Sequence, residues 1–227
     1  MDKMKPFNII TTPHKDILEG KLTMDIFAAD LWQVYKREAP DEYNDSDLFF
    51  SKTYETAGLK NLLTVVEKRI KGEGGDSTIQ LETPFGGGKT HSLIALFHKT
   101  KEWSSNVSVM VGTNLDAEKY TLWGLIEEQL TGKISSLNKK TSPGKEELRS
   151  ILEHYQPLTI LMDEVLQYMT KASGIKVEDS NLASQTLAFL QELTELVATL
   201  KQTCLVVTLP SSIIEHYGEN TERYYLQ

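Results

Sequence analysis

A single cysteine, four arginines and no long apolar run set the first limits on this 227-residue chain. Cys204 has no partner for an internal disulfide and lies in the apolar run Cys204-Leu205-Val206-Val207, which reads as a reduced core thiol. Arg37, Arg69, Arg149 and Arg223 are too few and too scattered to follow a phosphate backbone, and the formal net charge of −8 points the same way. Contact with DNA or RNA is expected only indirectly, through a partner or another region. The start, Met1-Asp2-Lys3-Met4-Lys5-Pro6, lacks the apolar block of a secretion signal, and no stretch approaches the ~20 apolar residues of a spanning helix. A cytoplasmic protein without a membrane segment is the expectation. The five histidines are scattered, and His91 and His98 are too far apart on one helix face to bind a single ion unaided.

What is present centres on Thr83-Pro84-Phe85-Gly86-Gly87-Gly88-Lys89-Thr90. Before it, Thr78-Ile79-Gln80-Leu81-Glu82 alternates like a strand; after it, Leu93, Leu96 and Phe97 recur at helical spacing. Consecutive glycines let a turn wrap a phosphate closely, and the N-terminus of the following helix favours an anion. In such a loop Lys89 reaches the β- and γ-phosphates and the Thr90 hydroxyl ligates Mg²⁺. The general pattern G-x-x-x-x-G-K-[ST] has glycine where this chain has Thr83. The competing reading of the match alone is a glycine turn that binds no nucleotide.

The second chemical signal is Leu158-Thr159-Ile160-Leu161-Met162-Asp163-Glu164, an apolar run ending in adjacent carboxylates. A run apolar throughout suits a parallel strand covered on both faces, with its carboxyl end at the site. There Asp163 is expected in the Mg²⁺ shell, and Glu164 is expected to orient and activate the attacking water. A further strand, Thr203 to Thr208, leads to Leu209-Pro210-Ser211. Thr208, with Ser211 second, is the candidate for contact with the γ-phosphate; a hydroxyl that merely caps the strand is the alternative.

Elsewhere the order is simple. Residues 1–22 read as an irregular arm. A helix is expected from Thr23 through Phe27, Leu31, Val34 and Tyr35, followed by Asp41 to Asp47 as a solvated acidic loop. A second helix carries Leu59, Leu62, Leu63, Val66 and Ile70 and stops at the glycine cluster Gly72-Glu73-Gly74-Gly75. Phe49, Phe50 and Tyr54 are either core aromatics or the lining of an adenine pocket. Val107 to Val111 forms a strand; helices follow around Leu122 to Leu130, Leu148 to Leu152 and Leu182 to Leu200.

Neighbouring phosphate-loop functions fit less well. Asn138-Lys139-Lys140-Thr141 ends in threonine where a guanine-reading motif has aspartate, which disfavours GTP. No Ser-Gly-Gly signature precedes the Asp163 strand, as a transporter cassette would require. A superfamily-two helicase, using Asp163-Glu164-Val165-Leu166, remains a competitor.

Three stretches together resemble a known family: Leu81 to His91 around the triple glycine, Phe27-Ala28-Ala29-Asp30-Leu31 with Phe49 to Tyr54, and Val206 to Ser211. They are similar to a group of large prokaryotic AAA-like ATPases catalogued as domain of unknown function 499. The resemblance implies that Thr83 through His91, the stretch written T-x-F-G-G-G-K-T-H, is the nucleotide-binding segment. It also implies an α/β, three-layer P-loop NTPase core of AAA-like type with a mainly parallel sheet in the order 5-1-4-3-2. ATP and Mg²⁺ are the implied cofactors, and the implied role is conformational work in DNA processing or anti-phage defence, with protein partners or self-assembly. On this reading residues 1–76 form an N-terminal arm and helical segment, and 77–227 the ATPase core. Four strands are found where the family has five, and a lid and arginine finger are also expected to be missing, as in an N-terminal fragment. Two functions are carried forward: an ATP-hydrolysing module, and a switch or scaffold that binds ATP without turnover.

Overall fold

The structure, a computed structural model, describes residues 11–12, 18, 29–83 and 86–210. Four strands form one sheet: β1 (Thr78–Thr83), β2 (Asn106–Val111), β3 (Leu158–Asp163) and, after a small hairpin, β6 (Thr203–Pro210). The order is β1-β6-β3-β2, and every pairing is parallel. Numbered as core strands 1 to 4, this is 1-4-3-2, the expected series without its fifth strand. No strand pairs with the outer edge of β1 among the described residues.

Parallel neighbours require crossovers, and here helices make them, covering both faces. Alternation along the strands divides the core. Leu158, Ile160 and Met162 of β3, with Met110 and Leu205, pack into one apolar layer. That layer includes α6 (Leu122–Thr131), α7 (Lys145–Leu152), α8 (Val165–Ala172) and α9 (Leu182–Thr199). Leu161, with Val109, Val111, Cys204 and Val206, faces the opposite layer. That second layer holds α1 (Leu31–Lys36), α3 (Ser46–Lys52), α4 (Ala57–Lys71) and α5 (Lys89–Glu102). The result is the expected three-layer α/β fold, with β3 buried along its whole length. The N-terminal helices thus share a core with the sheet. The two-residue strands β4 (Lys176–Val177) and β5 (Ser180–Asn181) pair before α9.

Two expectations are corrected at the N-terminal side. The helix placed from Thr23 starts, within the described residues, at Leu31: Asp30 is extended and its carboxylate accepts from Trp32 N (2.8 Å) and Gln33 N (3.2 Å). Its Phe27 lies outside the described residues. The acidic stretch is not a loop but two short helices, α2 (Asp41–Asn44) and α3, joined at Asp45. Asp45 closes the first and caps the second, accepting from Leu48 N at 2.7 Å. Packing decides the matter, since Phe49 is buried against His91 and His98 of α5.

Cys204 is a buried free thiol, pushed up to about 12 by burial, as an inert core cysteine requires. No helix among the described residues is long and apolar enough to cross a membrane.

Candidate functional site

The carboxyl ends of the parallel strands meet at one edge of the sheet, and the connections that leave β1, β2 and β3 converge there. β1 ends at Thr83, whose hydroxyl is buried without a hydrogen-bond partner and whose carbonyl accepts from Lys89 Nζ at 2.9 Å. Pro84 and Phe85 lie outside the described residues. Gly86 and Gly88 have φ of 74° and 78°, the left-handed conformation that glycine adopts without a steric penalty. A Cβ on either would meet nothing within 4 Å, so the triple-glycine turn is open towards its surroundings. Gly88 is the N-cap of α5, whose first residues are Lys89, Thr90 and His91.

Thr90 and Asp163, far apart in sequence, are joined directly: the Thr90 hydroxyl donates to Asp163 Oδ2 at 2.7 Å. The other carboxylate oxygen accepts from Thr208 Oγ1 at 2.5 Å, and Thr208 in turn accepts from the Glu164 backbone N–H at 3.1 Å. Thr208 is buried, and its one proton is directed at Asp163. Asp163 is buried as well, so hydroxyls from two other elements fix its carboxylate. Hydroxyl and carboxylate oxygens are the hard donors that Mg²⁺ selects, and a Mg²⁺ site draws on only one or two carboxylates beside phosphate and water. The pair Thr90 and Asp163 fits that requirement. No cluster of three or more His, Cys, Asp or Glu residues suited to a metal occurs among the described residues.

Glu164 occupies the left-handed region (φ 52°, ψ 38°) as the N-cap of α8, so the chain turns sharply after β3 and projects this residue outward. It is exposed, yet surrounding protein still desolvates its carboxyl, which raises its pKa; Asp163 and Asp30 add to the rise. The Thr113 hydroxyl, 2.5 Å from Glu164 Oε2, and Lys171 oppose it. A cavity of about 440 Å³ opens here, lined in part by Asp30, Gln33, Thr90, Thr113, Asp163 and Glu164.

Sequence reasoning missed the supports of Glu164. Thr113 leaves the end of β2, the strand beside β3. Gly112 lies so close that a Cβ there would stand 2.0 Å from Glu164 O. Lys171 Nζ donates to the carbonyls of Gly112 (3.0 Å), Thr113 (2.6 Å) and Leu115 (3.1 Å), pinning this loop to α8. The available signal was a polar residue leaving a strand, the same signal that singled out Thr208.

His91 turns elsewhere. Its Nε2 lies 2.9 Å from Thr53 Oγ1 and its ring packs on Phe49 at 4.6 Å, and burial lowers its pKa. Phe49 is therefore core, while Phe50 lies under the Lys99 ammonium at 4.7 Å. Ser211 is outside the described residues.

The family model described as DUF499 N-terminal domain matches residues 4–120 and 113–226. No curated protein matches the chain. Among solved structures, the chain is similar to the FIGL-1 AAA domain in complex with ADP, at 15% identity and a TM-score of 0.43, over 77% of this chain. The match takes in 52% of that chain, so the present one spans about half its length.

Proposed function

This chain belongs to the DUF499 N-terminal domain family, and from that premise we propose that it is the ATP-binding, Mg²⁺-dependent ATP-hydrolysing module of an AAA-like ATPase. One observation carries the reading: the 2.7 Å contact between Thr90, directly after the glycine turn, and Asp163, at the end of the apolar strand. Each motif alone is a weak signal, but a glycine turn whose next hydroxyl meets the carboxylate ending an apolar strand is the minimum equipment for phosphoryl chemistry.

In this assignment Gly86 to Gly88, with flanking Thr83, Pro84 and Phe85, wrap the phosphates, and the Lys89 ammonium neutralises the outer ones. Thr90 and Asp163 would hold Mg²⁺, which when bound supplies positive charge to the phosphate oxygens. Glu164 orients a water and accepts its proton at Oε. The raised pKa of its carboxyl makes it a better proton acceptor. Thr208, proposed from the sequence to meet the γ-phosphate, acts in this geometry as a positioning residue, because its hydroxyl holds Asp163 and the Glu164 backbone. His91 contributes through its place in the first turn of α5 rather than through its ring.

No arginine is among the described residues that line the cavity. Further positive charge for the transition state, supplied by a second copy or another protein, is part of the proposal and accords with work performed in a larger assembly. A role in DNA processing or defence is part of the proposal and draws on the family resemblance alone. A second reading, an ATP-binding switch without turnover, draws on the 2.5 Å hydrogen bond by which Thr113 engages Glu164.

Glu164→Gln separates the two. Under the first reading hydrolysis falls by roughly 10²- to 10⁴-fold while Mg²⁺-ATP binding is retained. Under the second, the unaltered chain binds ATP and shows no turnover to lose. Failure of the unaltered chain to bind Mg²⁺-ATP, in a titration where Lys89→Ala behaves identically, would overturn both.

A further inference from the structure

A phosphate loop grips the charged end of a nucleotide and leaves the base to find its own contact. Among the described Phe, Trp and Tyr residues Tyr54 is the one that is exposed, at 86%, whereas the others are buried or half-buried. A single exposed ring is ordinary in itself. Its anchorage is not. The preceding residue, Thr53, directs its proton at the Phe49 carbonyl (2.7 Å), so Thr53 Oγ1 accepts from His91 Nε2 at 2.9 Å. Two residues beyond Tyr54, Thr56 caps α4, its hydroxyl accepting from Leu59 N at 3.1 Å. Residues 53–56 are therefore a strap fixed at both ends, holding Tyr54 in solvent beside the first turn of α5.

Direction follows from helix geometry. Thr90 and His91 are consecutive on α5 and project about 100° apart. The first reaches Asp163; the second reaches Thr53. The first turn of α5, directly after the glycine turn, thus meets the carboxylates, where the reacting phosphate belongs, in one direction and the strap in another. A nucleotide whose terminal phosphate faces Asp163 and Glu164 directs its nucleoside towards the strap.

We propose that Tyr54 is the platform on which the purine base of the bound nucleotide stacks, with the Thr53 and His91 pair as the tie that places it. This rests on the ATP reading above. The contact reads the flat face of the base and adds affinity without contacting the phosphates.

Calorimetric titration of the full chain with Mg²⁺-ATP and with Mg²⁺-tripolyphosphate, which has the charge but no base, tests it. Tyr54→Ala is expected to weaken ATP binding by roughly 5- to 150-fold, the range for one base on one aromatic, and to leave tripolyphosphate binding unchanged. Tyr54→Trp is expected to keep ATP affinity, with added indole emission that responds to ATP and not to tripolyphosphate. Unchanged ATP binding in Tyr54→Ala, or equal loss of both ligands, overturns the platform while leaving the ATP reading intact. If the unaltered chain binds neither ligand, the ATP reading itself has failed and the platform falls with it.

Discussion

Thr208 Oγ1 lies 2.5 Å from Asp163 Oδ1, a contact between neighbouring parallel strands that ties the two ends of the proposed chemistry together. The same oxygen receives the Glu164 N–H. Thr208→Val keeps the shape and removes both bonds, leaving a donor and an acceptor unpaired. The expected cost is about 1–3 kcal/mol in denaturant unfolding, with turnover reduced and Mg²⁺-ATP affinity close to that of the unaltered chain. Thr208→Ser, which restores the hydroxyl, is expected to recover most of the turnover.

Gly112→Ala is expected to act on the same site by a different route. The new methyl would meet Glu164 O at 2.0 Å and Tyr168 N at 2.9 Å, backbone atoms that cannot rotate away. Overpacking of this kind costs about 1–3 kcal/mol, and the displaced Glu164 should lower turnover. Gly86→Ala provides the contrast. Its Cβ meets nothing, so its penalty is the left-handed φ of 74° alone, about 1–2 kcal/mol.

Both strands of the proposed site were legible because their signals are local. The β1 strand, its glycine turn and the helix after it are contiguous, and an apolar run interrupted only by Thr159 and ending in Asp163-Glu164 suits a doubly covered strand. Sheet order was another matter. The family resemblance, not the periodicity, supplied it and set β2 beside β3, but strand order does not fix which side chains meet, so Thr113 could not be assigned to Glu164, and the role of Thr208 as a tie could not be separated from phosphate contact. The acidic segment 41–47 was misread for a related reason: α2 and α3 are too short for a periodic signal, and what orders them is Phe49 lodged between two histidines of α5.

Away from the site, Glu127 predicts a pH effect. Burial raises the pKa of this carboxyl, but donors from Ser135 (N and Oγ), Ser136 (N and Oγ) and Leu137 (N) override it and hold the pKa at about 2, against 4.5 ordinarily. A depressed folded pKa adds stability that is complete above the unfolded value. It is lost as pH falls from about 4.5 towards about 2. Unfolding curves across that window should lose stability in the unaltered chain more steeply than in Glu127→Gln. At neutral pH the variant should be weaker by about 2–4 kcal/mol, because an amide cannot accept from five donors.

Lys171→Met should loosen the loop after β2. Three carbonyls lose their shared ammonium, and amide hydrogen exchange at residues 113–118 is expected to quicken while the sheet amides stay protected.

The left-handed turn at Glu164 sets comfort of the main chain against reactivity at a single residue. Glycine would sit there at ease, and any side chain bears a conformational penalty. Mutational searches for a hardier protein would therefore be drawn to this position, and each glycine variant they recovered would be one that had given up the proposed proton acceptor.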